Sequence, residues 1–161
     1  MKPSAPSFDA AHALKCELAG EVLRSSGTLR LRVMGWSMLP VVWPGDTLVI
    51  ERVENGTVSE GDIILFRRDR RFFAHRVVGK SSAAGDAQLL TRGDALAQAD
   101  PPVGDRDLLG KVTFIIRNGK CIEPSRTPRF SERAVSALVR SSEIAARVVV
   151  GVHGMRQASE N

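Results

Sequence analysis

Leu29-Arg30-Leu31-Arg32-Val33-Met34-Gly35-Trp36-Ser37-Met38-Leu39-Pro40 is the stretch on which the fold turns. Its first half alternates. Leu29, Leu31 and Val33 fall on one face and Arg30 and Arg32 on the other, the period of a half-buried β-strand. Gly35 breaks the alternation, and Pro40 and Pro44-Gly45-Asp46 mark turns. A strand that ends in glycine and delivers a serine to a proline turn holds that hydroxyl at an exposed edge.

Downstream, the same pattern repeats. Thr47 to Val53 reads as a strand, followed by a turn at Glu54-Asn55-Gly56. Ile63 to Phe66 is a strand, Arg67 to Arg71 a charged hairpin tip, and Phe72 to Val78 the returning strand. Ser81 to Asp86 reads as a loop, Leu89 to Thr91 as a short strand, and Ala95 to Asp107 as an irregular segment containing Pro101-Pro102. Leu109 to Ile116 is the last strand before a turn at Asn118-Gly119. About six short strands with Gly and Asp turns predict a mostly β domain, a coiled or partly closed sheet. Upstream, residues 1–8 read as a loose tail. A short helix follows from Asp9, because Leu14, Leu18 and Val22 recur at helical spacing, and Ser25-Ser26-Gly27 ends it. After Glu123, Pro124 and Pro128 mark a linker. Val135, Leu138, Val139 and Ile144 then give Ser131 to Val150 a looser helical pattern. The expected division is a tail and helix over 1–28, a β domain over 29–122, and a linker with a terminal helix over 123–161.

Composition narrows the function. A chain of 161 residues, 43% apolar and 25% charged, suits one globular domain with a core. A net charge of +5 is modest, and with no Tyr and only two Trp, aromatic stacking on nucleic acid has little support. Cys16 and Cys121 match no metal-ligand spacing, and Cys121 reads as a small, partly buried side chain. No apolar run approaches the roughly 20 residues that span a bilayer, and Met1 to Ala13 lacks the apolar core of a secretory signal. The expectation is a chain that starts in the cytosol, or sits at a membrane surface, with no metal or organic cofactor.

A serine hydroxyl becomes a nucleophile only when a base takes its proton. The histidines are His12, His75 and His153, and the first and last lie in terminal segments. His75 sits in Phe72-Phe73-Ala74-His75-Arg76-Val77-Val78 and by alternation faces the same side as Phe73 and Val77. On pattern alone it is either a core imidazole or a base. Asp94 in Thr91-Arg92-Gly93-Asp94 and Asp100 in Gln98-Ala99-Asp100-Pro101 are the carboxylates that could orient it. Asp46 and Asp62 each follow a glycine and are explained as turn residues.

Gly35-Trp36-Ser37-Met38-Leu39-Pro40 with Gly45-Asp46 resembles the nucleophile box of type I signal peptidases and of their wider fold group, which includes self-cleaving repressor peptidase domains. Phe73-Ala74-His75-Arg76-Val77-Val78 resembles the general-base box. A histidine here is the mark of the archaeal and endoplasmic-reticulum branch. Thr91-Arg92-Gly93-Asp94 is similar to that branch's Gly-Asp motif, Asp100 stands at its second aspartate, and Gly110-Lys111-Val112 resembles the closing strand. The resemblance spans Leu29 to Ile116. It implies a coiled antiparallel sheet with flanking helices and a peptidase acting on a polypeptide, possibly a preprotein. Ser37 would be the nucleophile and His75 the base. Asp100 would hold the imidazole, Asp94 would support the loop, and the Ser37 N–H would serve the oxyanion. Trp36, Met38, Leu39 and Phe73 would bind substrate. Arg67, Arg68, Arg70 and Arg71, with the terminal helices, could touch anionic headgroups. Two other readings share the fold: a regulatory domain that cuts itself or a partner, and a peptide-binding module without catalysis. About 28 residues precede Leu29, which is short for a DNA-binding module of the usual helix-turn-helix kind.

Overall fold

The computed structural model describes residues 8–83 and 86–127. The helix expected over 131–150 and His153 lie outside the described residues. Helix α1 (Phe8–Ser26) leads into strands β1 (Thr28–Arg32), β2 (Thr47–Glu51), β3 (Ile63–Arg68), β4 (Arg71–Ala83), β5 (Asp86–Arg92), β6 (Leu108–Arg117) and β7 (Lys120–Ile122), with a 3-10 turn at Asn55–Thr57. The sheet runs β1-β2-β6-β3-β4-β5, and β7 adds to β6. All pairings are antiparallel. The expectation of a mostly β, antiparallel domain with an N-terminal helix is met.

Strand β3 explains why the core has two parts. Ile63 and Leu65 face one cluster with Leu23, Met38, Ile50 and Val112. Ile64 and Phe66 face another with Val77, Leu89 and Val103. A strand covered on both faces needs an unbroken apolar run, and Ile63-Ile64-Leu65-Phe66 supplies one. The sheet bends where β6 crosses its neighbours. The register slips between Val49 and Ile50 on one side and between Leu65 and Phe66 on the other. A Cβ at Gly110 would collide with the Glu51 carbonyl, so this crossing takes only glycine.

Four features of the local structure differ from the sequence pattern. The Ser81 to Asp86 loop is largely strand: β4 and β5 pair from Arg76↔Arg92 out to Ala83↔Asp86. Backbone pairing carries this polar arm beyond the core, so apolar alternation does not mark its length. The hairpin tip is shorter than Arg67 to Arg71. Arg67 and Arg68 belong to β3, and only Asp69 and Arg70, at φ 49° and 59°, make the left-handed turn. In α1 the stripe Leu14, Leu18, Val22 is exposed, whereas Cys16, Gly20 and Leu23 are buried. Small side chains at 16 and 20 let the helix lie close to the sheet, and closeness decides which face goes inward. Cys121, expected to be partly buried, is exposed on β7.

Two buried aspartates tie loops to the sheet. Asp46 accepts the Trp43 N–H at 2.8 Å and a two-pronged contact from Arg117, at 2.9 Å from Nε and 2.7 Å from Nη2. Asp62 accepts the Ser59 N–H at 3.0 Å and Arg126 Nε at 3.0 Å. Their turn roles are the ones expected, reinforced by arginines from distant sequence. No helix among the described residues is long and apolar enough to cross a membrane.

Candidate active site

Ser37 lies in the turn that follows β1. Leu39 N–H closes on the Trp36 carbonyl at 3.1 Å and Val42 N–H on the Met38 carbonyl at 3.0 Å. The serine's own carbonyl accepts the Ala95 N–H at 2.9 Å. Gly93 is pressed against the same carbonyl, where an added Cβ would stand 2.6 Å from the oxygen. The Gly-Asp motif therefore has a local cause: the loop after β5 must touch the backbone of the serine turn, and a side chain at 93 would push it off.

His75 is on β4 opposite Ile64 and is 3% exposed. Its Nε2 stands 3.0 Å from Ser37 Oγ and its Nδ1 2.7 Å from Asp100 Oδ2. With Nδ1–H donating to the carboxylate, Nε2 is left with a lone pair toward the serine hydroxyl. Asp100 is fixed from three directions. Its N–H donates to the Thr91 carbonyl at 2.8 Å, Thr91 Oγ1 donates to Oδ2 at 2.7 Å, and His75 completes the set. Burial pushes the Asp100 carboxyl up. The hydrogen bonds from His75 and Thr91, with the charges of His75 and Arg68, outweigh burial and hold it below its ordinary range. The imidazole also packs on aromatic rings, with Phe66 at 5.9 Å and Phe73 at 6.0 Å between centroids.

Asp94 goes elsewhere. It receives Arg76 Nε at 2.8 Å and Nη2 at 2.7 Å, and both side chains are buried. The same guanidinium donates through Nη1 to the carbonyls of Gly61 and Ser125, each at 2.7 Å. Asp94 therefore fixes the loop that carries Gly93 and Ala95 and has no contact with the imidazole.

Beside Ser37 and His75 opens a mainly apolar groove of about 330 Å³, walled by Leu31, Met34, Met38, Phe72, Phe73 and Ala74. Cys16 of α1 reaches the same groove, and burial pushes its thiol up. Of the side chains assigned to substrate, Met38 and Phe73 line this groove. Leu39 is fully buried in the domain interior, and Trp36 is half-exposed outside the groove lining. Among the described residues no cluster of His, Cys, Asp or Glu is suited to a metal ion. Thr91, Arg76 and Arg68 are contacts that the motifs alone did not assign. Thr91 and Arg76 sit inside the two motif boxes, a signal that was available. Arg68 carries none.

An antiparallel sheet that sets a serine, an imidazole and a carboxylate in line defines the serine-peptidase class of fold. Residues 5–98 match the family described as Peptidase S24-like, more than half of the chain, and the chain belongs to that family. No curated protein matches the chain. This overturns the resemblance to type I signal peptidases and the signal-peptidase activity read from it. The reason is physical. The Ser-turn, the Gly45-Asp46 corner and the Gly93-Asp94 loop meet demands of the shared sheet: left-handed backbone at Gly45, Asp46 on a turn N–H, Gly93 against Ser37. Such residues report the fold group and do not separate its branches. The length of chain before Leu29 was a poor guide too, because the family match already begins at residue 5 and takes in α1.

Proposed function

We propose that this chain is a regulatory peptidase domain that cuts a peptide bond in its own chain or in a partner polypeptide. The observation that carries the reading is His75 standing between Ser37 and Asp100, at 3.0 and 2.7 Å. Ser37 Oγ attacks the carbonyl carbon while His75 Nε2 takes the hydroxyl proton. Asp100 holds the tautomer and offsets the charge on the imidazolium. The imidazolium returns the proton to the leaving amine, and water activated by the same nitrogen hydrolyses the ester. The Ser37 N–H is assigned as an oxyanion donor. Strand β1 is at the edge of the sheet and runs on into Val33 to Gly35 beside the groove. An extended segment would add to that edge through its backbone and place an apolar side chain against Met38 and Phe73.

The test follows the purified full chain by mass spectrometry over time, at several protein concentrations, alongside labelling with a fluorophosphonate probe. Labelling that vanishes in Ser37→Ala supports the site. Fragments that form at a concentration-independent first-order rate and vanish in the same variant identify self-cleavage. Labelling without fragments assigns the cut to a partner polypeptide. If wild type is neither labelled nor cleaved while folded, the catalytic reading is wrong.

A further inference from the structure

We infer that Arg68 is a positioning residue for this site, holding the Asp100-Pro101-Pro102 turn so that its carboxylate meets His75. The inference rests on the proposed reaction, and its observations lie outside the three reacting side chains. Arg68 is the last residue of β3, facing Arg71 across the hairpin. Sequence alone groups it with three other arginines as a solvated, headgroup-facing cluster. Its guanidinium instead turns back to the site loop. Nη2 donates to the Pro101 carbonyl at 2.9 Å and to the Pro102 carbonyl at 3.1 Å.

Those contacts matter because of what prolines lack. A Pro-Pro pair has no N–H with which to tie itself down, so its carbonyls are its only backbone handles. The loop is pinned before the prolines by Asp100 N–H on the Thr91 carbonyl, and after them by the reciprocal Val103 and Leu89 hydrogen bonds. Between these pins, Arg68 is the donor that the structure gives to both proline carbonyls. One nitrogen of the guanidinium, with its two N–H bonds, serves both acceptors, while the plane of the group lies over Phe66.

Arg68 also bears on the imidazole from behind. Its central carbon stands 5.4 Å from the centre of the Phe66 ring, a cation–π contact. Phe66 stacks on Phe73 at 5.7 Å and meets His75 edge-on. One side chain thus touches the ring that packs against His75 and ties the turn that presents its carboxylate partner. The groups that bear on Asp100 are His75 from β4, Thr91 from β5 and Arg68 from β3, and the positive charge of Arg68 helps to keep the carboxyl ionised. The nearby Arg76 and Asp94 neutralise each other.

The experiment compares full-length wild type, Arg68→Lys and Arg68→Met. It measures the second-order rate of fluorophosphonate labelling per folded molecule from pH 4 to 9, beside thermal unfolding and the NMR signal of the His75 Nδ1 proton. Arg68→Met is expected to slow labelling about ten- to a hundred-fold and to move the acid limb of the profile to higher pH. Without the cation, the Asp100 carboxylate loses one of the charges that keep it ionised. Arg68→Lys keeps the charge and loses the planar group that spans both carbonyls and the Phe66 ring, so it should recover the limb and only part of the rate. The downfield Nδ1 proton should weaken in Arg68→Met. A lower unfolding temperature with unchanged rate, limb and proton signal would show Arg68 to be a stability residue and overturn the inference. If wild type is not labelled, the proposed function falls by itself. The Nδ1 proton then decides: altered in Arg68→Met it sustains the positioning role, and unaltered it ends it.

Discussion

Asp94 and Asp100 stand on one loop, are the same residue type, and do opposite things. Asp94 is buried face to face with Arg76, two charges fully matched by a rigid fork. Asp100 meets an imidazole and a threonine hydroxyl, partners whose hydrogen bonds leave its charge only partly matched. The difference teaches how to read a carboxylate. One paired with a buried arginine is committed to structure, because removing either partner would strand the other's charge. One that accepts from an imidazole and a hydroxyl, as Asp100 does, is held in place without a full counter-charge.

The sharpest attempt to break this contrast removes the groups that Asp100 serves. Ser37→Ala and His75→Ala should bring probe labelling to background, checked by intact-mass analysis. Asp100→Asn comes next. It should lower the labelling rate by about 10²- to 10⁴-fold, since an amide favours the wrong tautomer of His75, while far-ultraviolet circular dichroism stays native. Asp94→Asn should show the reverse. It leaves the buried Arg76 uncompensated and should cost about 3 kcal/mol in urea unfolding, with labelling per folded molecule within a few-fold of wild type. Equal rate losses in the two variants would erase the distinction.

The smallest expected effect is on stability against pH. The Asp100 carboxyl is held below its ordinary value of 3.8 in the folded protein. Its ionised form therefore stabilises the fold at pH values above 3.8, and that contribution is lost as pH falls through the lower, folded-state value. The stability gap between wild type and Asp100→Asn should be constant near neutrality and close in acid, as followed by urea titrations. A gap that widens on acidification would mean that the carboxyl is held above its ordinary value instead.

Much of the sheet was legible. Strands whose faces differ in environment announce themselves by alternation, as Leu29 to Val33 does, and β3 announces itself by an unbroken apolar run. The β4–β5 arm was underestimated because backbone pairing outside the core imposes no pattern on Gly79-Lys80-Ser81-Ser82. The spacing of Leu14, Leu18 and Val22 marked α1 as a helix without fixing its inward face, which carries Cys16, Gly20 and Leu23. At the site, the residue boxes brought Ser37, His75 and Asp100 to attention, and the structure places them in contact. The contacts of Thr91 and Arg68 depend on distances across strands, which spacing along the chain does not encode. The branch of the fold group was misjudged because the motif residues that suggested it answer to the geometry common to all branches.

The tie between Asp46 and Arg117 has a consequence in time. The corner that follows the serine turn is held by an arginine 71 positions later in sequence. A ribosome makes the first partner well before the second. Until residue 117 clears the exit tunnel, Asp46 has no guanidinium to meet and β6 has not taken its place between β2 and β3. The ion pair that fastens the corner beside the serine turn is thus complete only once the strand bearing Arg117 has been made. A contact this distant in sequence makes the geometry around Ser37 a property of the whole sheet and not of the serine turn alone.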